Sequence, residues 1–202
     1  RGAGAHAGIG LLLEVDARTE FSNAFTHLRS GRTADNKLAL LTAILADGIN
    51  LGLTRMADVS PGITMRQLAW AHDWHIREEG YTAAHAILVN AQRQLPLASL
   101  WGDGTTSSSD GQYFPAGGHA KAIGDLNARY GPNPGAKFYR FTSDQYGAFY
   151  IIAMNANASE AIYVLDGLLY HGSDLAIETH YVDTGGVSDM SFALCHLVGF
   201  QI

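Results

Sequence analysis

Two short stretches hold the residues best suited to chemistry. One is Trp101-Gly102-Asp103-Gly104-Thr105-Thr106-Ser107-Ser108-Ser109-Asp110-Gly111, and the other is Tyr181-Val182-Asp183-Thr184-Gly185-Gly186. Each sets an Asp beside a Gly, among small residues, where an apolar segment ends. A carboxylate in such a place is open to a metal ion or to a phosphate. Two carboxylates held close together repel, and a divalent cation between them removes the penalty. Mg²⁺ takes oxygen ligands and keeps waters or substrate phosphate oxygens. A pair of such ions can activate an attacking oxygen and stabilise a leaving one. Asp183 with either Asp103 or Asp110 fits that chemistry. Asp-Gly is also a common turn, so spacing alone leaves two ordinary turns as an open alternative.

Other groups carry weaker signals. Asp183-Thr184-Gly185 has the form of an aspartic protease motif, which would require a homodimer sharing a proton between two Asp and an all-β fold. His72 and His75 share a helical face, but no HExxH pattern accompanies them, so a packed or hydrogen-bonded pair is the expectation. Ser107-Ser108-Ser109 is not a GxSxG elbow; it reads as a strand or loop lining a polar site. Cys195 falls in an apolar helix, as a small core residue. Leu51 to Trp70 can be drawn as a helix-turn-helix, although two helices across a Pro-Gly turn occur in any bundle.

Elements must position these residues, and the composition allows them to. The 202 residues are 47% hydrophobic and 16% charged, enough for one good core or one domain with a helical extension. The 13 basic against 19 acidic residues give a net charge of −6, without the global basic excess of a stand-alone nucleic-acid binder. One Cys excludes an internal disulfide and fits a reducing, cytoplasmic setting. No run approaches 18 apolar residues, so no membrane span is expected. The chain starts without Met or a leader pattern and stops in the apolar Gly199-Phe200-Gln201-Ile202, so it reads as a piece of something longer.

Residues 10–97 read as helices. Asn36 to Asp58 carries Leu38, Leu41, Leu45, Ile49 and Met56 near one face. Ser60-Pro61-Gly62 is a turn, and Thr64 with Gln67 has the form of a capping box. A further helix runs from Tyr81 to Leu95, closed by Pro96. Leu97 to Trp101 is strand-like, and 116–134 reads as a long loop. Lys137 to Thr142 and Ala148 to Met154 form a hairpin, a helix opens at Ser159-Glu160, and Ile177 to Val182 is a strand ending at Asp183. Asp189 to Val198 is helical, and the last residues begin another strand. The expected fold is α/β (α+β): a helical region over 1–97, then over 98–202 a mixed sheet with helices on both faces. In that sheet the first strand and the strand after the helix are central neighbours.

The sequence also resembles the Tn3-family transposases. The resemblance rests on Trp101 through Gln112, Phe138-Tyr139, Ser143-Asp144-Gln145-Tyr146, Tyr163 through His171, His180 through Gly186 and Phe192 through Leu197. Phe25-Thr26-His27-Leu28-Arg29, Ala46 through Gly52 and Trp70 through His75 join in, so it covers nearly the whole chain from about residue 11. It implies a DDE recombinase with an RNase H-like fold, using two Mg²⁺ ions to cut DNA at transposon ends and join the freed 3′-hydroxyl to target DNA. It implies Asp183 as the second metal-binding Asp and Asp110 as the first, with Asp103 the alternate. Ser109, Gln112 and Thr184 are then expected to line the site, and Gly111, Gly185 and Gly186 to admit the DNA backbone. The family's catalytic Glu falls beyond Ile202, so the RNase H-like domain is expected to be partial, its Mg²⁺ binding weak or absent, and the piece inactive alone. DNA, a homo-oligomer of the intact protein and a bacterial cytoplasm are the implied setting. A non-catalytic DNA-binding or assembly domain is the rival.

Overall fold

A computed structural model describes residues 2–115, 134–183 and 185–202. The chain divides into two compact units, Arg1–Leu88 and Val89–Ile202. The first unit is helical: α1 (Gly2–Thr19), α2 (Lys37–Gly48), α3 (Leu53–Asp58), α4 (Met65–His75) and most of α5 (Glu78–Arg93). Asn36 caps α2 by accepting from the Ala39 N–H at 3.0 Å. Thr64 and Gln67 make the expected capping box of α4. The long helix read over Asn36 to Asp58 is broken between α2 and α3. Asn50 (φ 51°) and Gly52 (φ 79°) take left-handed backbone there, which no helix can continue. Met56 and Leu68 still reach one core with Ala39, Ala43 and Ala46.

The second unit is a four-stranded sheet of β1 (Thr106–Pro115), β2 (Gly135–Ser143), β3 (Ala148–Met154) and β4 (Thr179–Val182), in the order β3-β2-β1-β4. β1–β2 and β2–β3 are antiparallel, while β1 and β4 run parallel. Beyond β4, Gln201 makes an isolated parallel bridge to Thr179. Three antiparallel strands followed by parallel ones is the order of a partial RNase H-like fold.

Apolar alternation builds one core. Tyr139, Phe141 and Phe149 from the sheet meet Val164 and Leu168 of α6 (Val164–Leu169) and Cys195 of α7 (Asp189–Val198). Gly167 lets α6 lie directly on the Phe141 ring, where any Cβ would collide. Both α6 and α7 join this core, correcting the expectation of helices on both faces among the described residues. The other face shows Ser108, Asp110, Arg140, Ile151 and Tyr181 exposed.

The first strand is a second correction. Leu97 to Trp101 forms no strand; Ala98–Leu100 is a short 3₁₀ turn, and the strand is the Ser-rich run after it. The reading of 116–134 as a loop lies outside the described residues except for Pro134.

Candidate active site

The parallel ladder of β1 and β4 sets the geometry. Thr106 pairs with Thr179, Ser107 with His180, Ser108 with Tyr181 and Ser109 with Val182. That ladder stops one residue before Asp110 and Asp183, on strands whose neighbours lie about 4.8 Å apart. Asp110 and Asp183 are both exposed, each one residue past the last β1–β4 pair. The ends of parallel strands are where open α/β sheets bind ligands.

Asp183 is held by the turn that follows it. Its Oδ1 accepts from the Gly185 N–H at 2.9 Å and from the Gly186 N–H at 3.2 Å. α7 then starts with a capping box between Ser188 and Ser191, and the Ser191 hydroxyl donates to the Gly186 carbonyl at 3.3 Å. Thr184 lies outside the described residues. Asp103 sits at the other end of β1. Its Oδ1 accepts from the Thr105 hydroxyl at 2.6 Å and the Thr105 N–H at 3.0 Å, and those bonds, the hydroxyl first, hold its pKa below the usual carboxylate range. At about 3.3 Å per residue, even the first residue of β1 is roughly 13 Å from Asp110. Asp103 therefore closes a turn before β1 begins.

Ser109 does not face the acids. It is buried on the opposite side of β1, its hydroxyl 2.5 Å from the Tyr139 hydroxyl and 2.8 Å from His180 Nε2. Gln112 is exposed two residues after Asp110, on the same face. Gly111 is small for an internal reason: a Cβ there would collide with the Glu160 carboxylate and Lys137. Gly186 is buried against Val182 and the Tyr139 hydroxyl. Of the three glycines expected to admit DNA, Gly185 alone is exposed.

Four groups near the acids escaped the sequence reading. Glu160 and Lys137 form an ion pair, both buried, beneath Gly111. Among the described residues Glu160 Oε2 has no hydrogen-bond partner, and it lies 3.2 Å from where a Cβ on Gly185 would sit, with Asp183 Oδ1 at 3.1 Å from the same point. The Tyr139 phenol is pushed up to about 12, first by burial and then by the charges of Glu160, Asp183 and Asp110. Arg140 is the cross-strand partner of Asp110 and shares its exposed face. The inward alternation of Lys137 with Tyr139 and Phe141 was the available signal, since a buried Lys requires a buried acid.

Elsewhere the remaining candidates are structural. His75 is buried, its Nδ1 3.0 Å from the Phe25 carbonyl, while His72 faces Asp47 at 3.4 Å. Cys195 is fully buried in the sheet core. Among the described residues no group of three His, Cys, Asp or Glu stands ready to hold a metal ion. No helix among them is long and apolar enough to cross a membrane. Asp183-Thr184-Gly185 links a strand to α7 in an α/β unit, so the all-β protease reading fails.

The family described as "Tn3 transposase DDE domain" matches residues 10–202. The chain is 55% identical over 191 residues to the transposase for transposon Tn501 of Pseudomonas aeruginosa, covering 95% of this chain and 19% of that protein. It is 45% identical over 193 residues to the transposase for Tn1546 of Enterococcus faecium, with the same two coverages. It is 35% identical over 194 residues to the transposase for transposon gamma-delta of Escherichia coli (strain K12), again with 95% and 19% covered. The chain thus spans about a fifth of the length of the curated relatives it matches.

Proposed function

The chain belongs to the Tn3 transposase DDE domain family, and on that premise we propose that it carries the first two acids of a DNA transposase's catalytic centre. The reaction is metal-dependent cleavage of DNA at transposon ends, followed by transfer of the freed 3′-hydroxyl to target DNA. One observation supports this above the others: the parallel β1–β4 ladder, whose last pair, Ser109 and Val182, comes one residue before Asp110 and Asp183.

The donor set fits a hard divalent cation. Two carboxylates on one exposed face supply oxygen ligands and leave positions for water and phosphate oxygens, as Mg²⁺ prefers. When bound, such ions activate the attacking oxygen and offset charge on the leaving one. Asp110 and Asp183 are the residues that hold them. The Gly185 and Gly186 N–H groups fix Asp183 Oδ1. Arg140, across the ladder from Asp110, supplies positive charge for a phosphate on the same face. Gln112 and the exposed Gly185 border the path of the DNA backbone.

The family's third acid is assigned to none of these 202 residues, so the chain alone is inactive in strand transfer. The intact protein works on transposon ends and target DNA as a homo-oligomer in the bacterial cytoplasm. The test is Mg²⁺-dependent strand cleavage by a longer polypeptide that includes these residues. Asp110→Asn and Asp183→Asn should each abolish it, and Asp103→Asn should leave it near the parent level. Undiminished cleavage by Asp183→Asn would refute the assignment. Strand transfer by the 202-residue chain alone would refute the claim about the third acid.

A further inference from the structure

We propose that His180 is a positioning residue: its ring, bonded at both nitrogens to β1 serines, sets the β1–β4 register and so the alignment of Asp110 with Asp183. This rests on the reading of those two acids as a shared-ion pair.

The inner face of β1 lacks the means by which strands usually fix their register. A buried parallel strand is normally a run of Val, Ile and Leu. Here the inward residues are Ser107 and Ser109, both buried. Without an apolar pattern, register is weakly specified and a strand can slip. His180 supplies what is missing. Its Nδ1 lies 2.8 Å from Ser107 Oγ and its Nε2 lies 2.8 Å from Ser109 Oγ. The ring is fully buried and stacks on Phe141 at 5.3 Å and 22°.

A single register satisfies both nitrogens. Sliding β4 by one residue sets His180 against the outward side of β1, where Ser108 and Asp110 lie. Sliding it by two keeps the face but strands one ring nitrogen in a dry core, which is costly. That same slip would separate the levels of Asp110 and Asp183 by roughly 7 Å. Ser109 also reaches the Tyr139 hydroxyl at 2.5 Å, so β2 joins the network. The Tyr139 hydroxyl in turn lies 3.1 Å from where a Cβ on Gly186 would sit, beneath the turn that holds Asp183. Burial keeps the imidazole neutral at ordinary pH, with its pKa lowered to about 4, so one nitrogen donates and the other accepts.

The experiment uses the 202-residue chain, isotopically labelled, with two variants: His180→Phe, which keeps the ring stack, and the double variant Ser107→Ala with Ser109→Ala. Cross-strand nuclear Overhauser contacts report register without any metal. The expected result is loss or doubling of the Ser107–His180 and Ser109–Val182 backbone contacts, with the Ser109–Phe141 and Asp110–Arg140 contacts kept. Mn²⁺ titration of a longer polypeptide that includes these residues should then show affinity falling about tenfold or more in the same variants, the range for groups that orient metal ligands. Unchanged β1–β4 contacts in either variant would overturn the proposal. Loss of the β1–β2 contacts in both variants would also overturn it, because His180 would then be a general core residue. Register lost with Mn²⁺ binding to that longer polypeptide unchanged would sink the shared-ion reading of Asp110 and Asp183 while leaving His180 as the register determinant.

Discussion

Lys137 and Glu160 are each buried and answer one another, and that pairing makes both sensitive to substitution. Lys137→Met leaves a buried carboxylate without its cation and should cost about 3–5 kcal/mol in urea unfolding. The double variant Lys137→Met with Glu160→Leu should recover much of that loss, because an apolar pair replaces the ion pair without stranding a charge. A double variant as unstable as the single one would contradict this. His180 makes a pH prediction. Burial lowers its pKa to about 4 from the usual imidazole value of about 6.5. The unfolded chain therefore binds more protons between those limits, so stability is complete above pH 6.5 and falls as pH drops toward 4. At about 1.4 kcal/mol per pKa unit the contribution is on the order of 3 kcal/mol. His180→Phe should remove that part of the pH dependence. A stability difference between the two proteins that stays constant from pH 7 to 4 would count against it.

Among the elements, α7 depends on its cap and the cap depends on the site. Ser188 accepts from the Ser191 N–H at 3.0 Å, and Ser191 also holds the Gly186 carbonyl. Ser188→Ala should cost about 1 kcal/mol of stability and raise hydrogen exchange at the Gly185 and Gly186 amides. Unchanged exchange there would separate the helix cap from the Asp183 turn. The elements that sequence disclosed were those whose local chemistry agrees with their place in the fold. Thr64 and Gln67 bond to each other within one helical turn, and the alternation of Tyr139 and Phe141 gives a strand by itself. The end of β4 at Asp183 was visible for the same reason. β1 was hidden because its inward serines are satisfied by His180, some 70 residues away. Apolar Leu97 to Trp101 drew attention instead, and Leu97, Leu100 and Trp101 prove exposed. Glu160 was hidden too: by sequence it opens a helix, and its partner Lys137 is on another strand. The proposal of Asp110 over Asp103 rests on which stretch is the strand, and only the β1–β4 pairing supplies that.

For the molecule as a whole, the sheet unit matters most, because it carries the two acids proposed as metal ligands, each one residue past the last pair of its parallel β1–β4 ladder. The Tn3 transposase DDE family gives those acids a context, and the chain's span of about a fifth of its relatives makes the remaining parts a matter for longer polypeptides. The ion pair beneath Gly111 and the Ser107–His180–Ser109–Tyr139 network brace the acids from the buried side. The most direct test is Mn²⁺ binding, followed by electron paramagnetic resonance, to a longer polypeptide that includes these residues, in the parent and in Asp110→Asn, Asp183→Asn and Asp103→Asn. The account predicts affinity reduced about tenfold or more by each of the first two changes and unaltered by Asp103→Asn. Binding that survives both Asp110→Asn and Asp183→Asn, or that is lost on Asp103→Asn alone, would contradict it.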